Sequence, residues 1–153
     1  MMQLNLTHDG RDYAAWTPAQ LIAAGVPQGV VLGAFRSARK SEIDKEAERQ
    51  RLHWITPGAG QAMTYARKVE EAKAVLAAAD PVPADYPMLA ASIGIDGADI
   101  VAVATTVLAM DAAWAQTGAA IEATRLRTKN NIDQASDIAA VLSITAAWPQ
   151  PAA

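Results

Sequence analysis

IVAVATTVLAMDAAWAQTGAAIEAT, residues 100–124, carries two interleaved heptad series. Ile100, Val107, Trp114 and Ile121 recur every seventh position, and Val103, Met110, Thr117 and Thr124 form a second series between them. An alanine-rich background of high helix propensity surrounds both, so the spacing predicts one long helix with a largely apolar seam. Two packings satisfy such a seam: a buried helix in a small bundle, or a coiled coil with another copy of the chain. The rest of the chain reads as material that packs on this helix, caps it or extends from its ends.

Working back to the start, Leu4 and Leu6 alternate with polar residues, and His8-Asp9-Gly10-Arg11 supplies a turn from which residues 13–16 return. This predicts a small β-hairpin, too small to be stable without docking on something else. Thr17-Pro18 is a helix start, and Gly25 a C-cap before Val26-Pro27. From Pro27 a helix is expected to about Trp54, apolar at first and then densely charged. Residues 36–51 hold six basic and four acidic side chains of mixed sign, the composition of a solvated face. Thr56-Pro57-Gly58-Ala59-Gly60 breaks and restarts the chain, with Thr56 as the expected cap. Tyr65, Val69, Ala72 and Leu76 then mark one face of a helix ending near Asp80, the second arm of a helical hairpin. Three prolines in residues 80–87 make an ordered loop. Met88 opens a short helix stopped by Gly94, and residues 96–99 cap the long helix. Asn130-Asn131 is a place where that helix could break, and Ser136-Asp137 a place to restart.

The expected architecture is therefore mainly all-α: a helical hairpin plus a long alanine-rich helix, with a small N-terminal β-hairpin. Three parts are expected: a docking region at 1–26, a helical module at 27–148 and a tail at 149–153.

Composition narrows the chemistry. The net charge of −3 gives no global case for nucleic acid, and the absence of cysteine removes disulfides, thiolate ligands and thiol nucleophiles. His8 and His53 have no metal-ligand spacing, so no metal or cofactor is expected. Carboxylates four apart, Glu42 with Glu46 and Asp44 with Glu48, suit a solvated face better than a catalytic cleft. No basic-then-apolar leader opens the chain, and Asp111 interrupts the apolar run from Ile100, so neither a signal peptide nor a membrane span is expected. Of four tryptophans, Trp54 and Trp114 fall on apolar helical lines and read as core. Trp16 and Trp148 lie beside prolines and, with Leu4, Leu6 and Tyr13, are the candidate interface residues.

Residues 46–79, EAERQRLHWITPGAGQAMTYARKVEEAKAVLAAA, resemble a small helical module of bacteriophage and prophage tail-fibre and tail-fibre-assembly-type proteins. The resemblance rests on Thr56, Pro57, Gly60, Gln61, Thr64-Tyr65, Lys68 and Glu71-Ala72. It continues through Tyr86-Pro87-Met88-Leu89, Gly94, Trp114 and Ile121-Glu122-Ala123, covering residues 37–144. It implies a non-enzymatic structural or docking component of a phage tail, baseplate or tail fibre, found in the virion or, during assembly, in the host cytoplasm. Its partners would be other tail proteins; the heptad seam adds the expectation of a homo-oligomer, with a trimer as the candidate count. The family carries no catalytic motif. A tail-fibre assembly chaperone is the first alternative. The second is a nucleic-acid-binding regulator using the 36–51 helix with Arg125, Arg127 and Lys129.

Overall fold

A computed structural model describes residues 2–150. It is mainly helical with one antiparallel hairpin, as the sequence implies. The elements are β1 (Leu4–His8), β2 (Arg11–Trp16), α1 (Pro18–Ala23), α2 (Gln28–Arg51), α3 (Ala59–Ala77), a 3-10 turn (Pro83–Asp85), α4 (Pro87–Ala90), α5 (Ile100–Gln134) and α6 (Ile138–Ser143). The last three residues of the expected tail, 151–153, lie outside the described residues.

The chain divides into two compact units, residues 1–50 with 120–153, and residues 51–119. The division differs from the expected 1–26, 27–148 and 149–153 because the hairpin shares a core with the end of the chain. It also puts α2 and α3, the arms of the expected helical hairpin, in different units.

In the first unit, Asp9 and Gly10 both take positive φ, 47° and 75°, and His8 pairs with Arg11. This is the two-residue reversal that Asp-Gly favours, since its twist matches that of the strands. Leu6 faces Tyr13 but Leu4 faces Trp16, so β2 carries an extra residue opposite Asn5. Ala15 absorbs the bulge at φ 59°, and its N–H donates to the Asn5 side chain at 2.7 Å. A left-handed alanine is strained by about 1 kcal/mol, which glycine would not be. Ala15→Gly should therefore raise the melting temperature by a few degrees, as thermal circular dichroism would show.

Thr17 and Gln20 form a reciprocal capping box at the start of α1, and Gly25 at φ 89° ends it. The core joins Leu4, Tyr13, Leu21, Val31, Phe35 and Ile43 to Ile132 and Val141 from the end of the chain. Arg36 donates to the carbonyl of Ala135, placing a cation at the C-terminal end of α5.

In the second unit, α3 buries Val69, Ala72 and Val75 against Leu89, Ile100, Val103, Ala104 and Val107. The buried line advances from Ala72 to Val75, a step of three, which leaves Leu76 exposed rather than buried as expected. Thr56 does not cap α3. Gly58 stands at the N-cap with φ 123°, and no side chain bonds the first turn. Asp99 does cap α5, accepting from the N–H of Ala102 at 2.8 Å. Asn130-Asn131 does not interrupt that helix, which runs for 35 residues, roughly 52 Å. Asp137 caps α6 by accepting from Ala140, so the helical restart falls at Ser136-Asp137 as expected.

Candidate interaction surface

The heptad seam is not one continuous stripe. Ile100, Val103 and Val107 are buried in the second unit's own core, and Ile121 is buried in the first unit. Between them Met110 is 54% exposed, and Trp114 and Thr117 are half-buried, as is Thr124 beyond. A straight helix drifts about 20° per heptad from a strict seven-residue repeat, so positions three heptads apart are turned by about 60° from one another. Gly118 lies against the Trp114 indole, where an added Cβ would meet the ring at 3.3 Å.

The candidate interface residues are mostly used within the chain. Leu4 and Tyr13 are buried in the first core, and Leu6, Trp16 and Trp148 pack against it. Tyr13 and Trp16 meet edge to face with centroids 5.1 Å apart, and the Arg11 guanidinium lies 5.0 Å from the Tyr13 ring centroid. The correction is physical: a hairpin of this size is stable only when its apolar face is covered, and here its own chain covers it. Trp54 moves the other way. Expected in the core, it lies beyond the end of α2 and is 40% exposed.

Several cations on α2 and α5 are engaged within the chain. Asp44 accepts from Arg125 at 2.6 Å and from Lys129 at 2.8 Å, Lys40 pairs with Asp133 at 2.7 Å, and Arg39 reaches Glu42 and Glu46. Glu122 and then Asp44 hold the Arg125 guanidinium firmly protonated. The Lys129 hydrogen bond, aided by Arg125, pulls the Asp44 carboxyl below its ordinary value against its partial burial. A carboxyl depressed in the folded state contributes stability above the ordinary pKa of about 4, and this is lost as pH falls through the lower folded value. Asp44→Asn should thus lower the melting temperature at pH 7, and the gap to wild type should shrink toward pH 3.

The second unit carries polar clamps built on Glu71 and Lys68, residues that the sequence marked only through the resemblance and without a role. Buried Glu71 accepts from the N–H groups of Met88 at 3.0 Å and Leu89 at 3.2 Å, the open first turn of α4, with Arg67 Nε 3.4 Å from its other oxygen. Lys68 donates to the Ser92 hydroxyl at 2.7 Å and lies 3.5 Å from Asp96. Burial pushes the nearby Tyr65 phenol up, with Asp111 and Asp96 adding to it. A lysine beside a serine can activate a nucleophile, but Ser92 is only 6% exposed and the lysine also faces a carboxylate. The trio holds the loop after α4 onto α3. Among the described residues, no three histidine or acidic side chains are grouped to hold a metal ion.

What these clamps fix in place is apolar and exposed. Ile95 stands 82% exposed on the loop that Gly94, at φ 82°, closes on the carbonyl of Gly97. Met63, 74% exposed, and Met88 line an open groove with Gly60, Thr64, Ala66, Arg67 and Glu70. Comparison with known proteins finds no match to a family model, to a curated protein or to a solved structure. One expectation about membranes changes: Asp111 does not disqualify α5, which by length and composition is apolar enough to cross a bilayer, with 22% of its most apolar window buried. Core helices of soluble proteins pass the same test. The sequence signal for the exposed set was faint. Met63 stands off the Tyr65–Val69–Ala72 line, and Ile95 is an apolar residue between two turn-forming neighbours.

Proposed function

We propose that this chain is a non-enzymatic structural or docking component of a bacteriophage tail, baseplate or tail fibre. The observation that supports the reading is the second unit's exposed apolar set, Met63, Met88, Ile95 and Met110, mounted on helices and a loop fixed by buried polar clamps. A rigid unit that displays unbranched, adaptable methionines and an outstanding isoleucine suits protein docking rather than catalysis. The resemblance of residues 37–144 to tail-fibre-type modules gives the partner class, other tail proteins.

The test is mass spectrometry of gradient-purified particles from the phage or induced prophage that encodes the chain, quantified against the major tail protein. A fixed ratio corresponding to three, six or a multiple of these copies per particle is the expected result. Presence in the lysate bound to a fibre protein, with absence from particles, would establish the assembly-chaperone alternative instead. Absence from both would end the tail reading.

A further inference from the structure

We propose that the Trp54–Ile55 bond is a processing site for an endopeptidase that takes an aromatic residue on the acyl side of the cut, and that the cut chain stays assembled. This holds whatever particle the protein serves.

A protease draws several residues of backbone into its cleft in extended form, so it cuts where the chain is exposed and weakly held. Every residue from 52 to 63 is exposed. Among the described residues, no side chain from 52 to 58 forms a hydrogen bond or ion pair. The backbone of this stretch is held at its start by the N–H groups of Trp54 and Ile55, which donate to the Arg51 carbonyl at 2.9 and 3.1 Å. At its end α3 begins from Gly58 with no side-chain cap. Opening the stretch breaks the two bonds to Arg51 and draws out no buried side chain. The other aromatic residues are protected in one of two ways. Tyr13 and Trp16 lie in β2, Phe35 in α2, Tyr65 in α3 and Trp114 in α5, where ladders or helical bonds hold the backbone. Tyr86 and Trp148 lie outside helix and strand, but each precedes a proline, whose nitrogen carries no hydrogen and whose ring fills the space where a protease takes the leaving amine. Trp54, 40% exposed, outside helix and strand and followed by isoleucine, has neither protection.

Hydrolysis adds one water across the amide and leaves the Trp54 carboxylate and the Ile55 ammonium. Both cores survive it. The second core, Val69 to Val107, lies wholly on the C-terminal piece. The first is shared: Leu4, Val31, Phe35 and Ile43 belong to the N-terminal piece, and Ile132 and Val141 to the other. Polar contacts cross the same boundary, from Asp44 to Arg125 and Lys129, from Lys40 to Asp133, and from Glu46 to the Trp148 indole at 3.3 Å. The N-terminal piece is thus retained by the packing that already holds it, and a cut at this bond removes a covalent link without removing a contact. Backbone continuity between the two units then runs through α5 alone.

The test is brief digestion of the full-length protein with a small amount of chymotrypsin, followed by mass spectrometry and size-exclusion chromatography. The expected first products are residues 1–54 and 55–153, which elute together at the volume of the uncut protein and separate only in urea. Trp54→Ala, with its circular dichroism spectrum unchanged, should slow the first cut by about tenfold or more, the effect of emptying a protease's apolar pocket. Three results would overturn the assignment: a first cut at any other bond, a first cut whose rate Trp54→Ala leaves unchanged, or wild-type pieces that part on the column without urea.

Discussion

Phe35→Ala lowers the stability of the first unit by about 3–5 kcal/mol, the range for emptying a fully buried aromatic site. Phe35 is among the largest completely buried side chains, and it stands in one cluster with Leu21, Val31, Ile43, Ile132 and Val141. These neighbours come from α1 and α2 in the first third of the sequence and from α5 and α6 toward its end, so no single element can move in to fill the void. The measurement is urea denaturation followed by far-ultraviolet circular dichroism, with hydrogen exchange to locate the change. Amides around Val31, Ile43 and Ile132 should lose most protection, and a loss below about 1 kcal/mol would mean that the core relaxes around the site.

The second large effect falls on a charged residue. Glu71→Ala removes the acceptor for two N–H groups at the start of α4 and leaves them in a buried setting, a cost of about 2–4 kcal/mol. Glu71→Gln keeps one oxygen of the right shape and should recover part of that loss, which separates hydrogen bonding from packing. Arg67, whose Nε lies 3.4 Å from the free carboxylate oxygen, adds a partner that glutamine cannot match in charge. Hydrogen exchange should show Glu71→Ala loosening residues 86–92 first. A protected α4 in that variant would mean that apolar contacts of Leu89 alone hold the turn.

The parts of this fold that were legible in the sequence are those set by neighbours along the chain. Asp9-Gly10, the Thr17 cap, Asp99 and Asp137 each act on backbone groups within three residues, and each stands where the pattern put it. Burial along α5 was less legible, because a heptad count reads one side while a straight helix turns at 3.6 residues. The clamping role of Glu71 was invisible for a different reason. A glutamate within a run of charges reads as solvated, and only the fold brings α4 against it. Trp54 misled because an aromatic residue at the end of an apolar line looks like its continuation, although α2 has stopped at Arg51. The candidate interface failed on occupancy rather than identity: Leu4 and Tyr13 are indeed docking residues, but the surface they dock on belongs to their own chain.

The division of the chain also sets an order of events at the ribosome. Residues 51–119 are contiguous, and every partner in their core is synthesised within one short interval. Residues 1–50 must wait, since Ile132 and Val141, which complete their core, emerge only after residues 51–119. The nested unit is thus able to acquire structure while Phe35, Val31 and the hairpin are still uncovered, a window in which those side chains are open to chaperones or to misassociation. α5 is begun by the early-folding unit and finished by the late one. Its first turns, already ordered by Asp99 and the second core, provide a helical nucleus onto which the remaining turns add at little cost, so the closing of the chain's ends is templated from its middle.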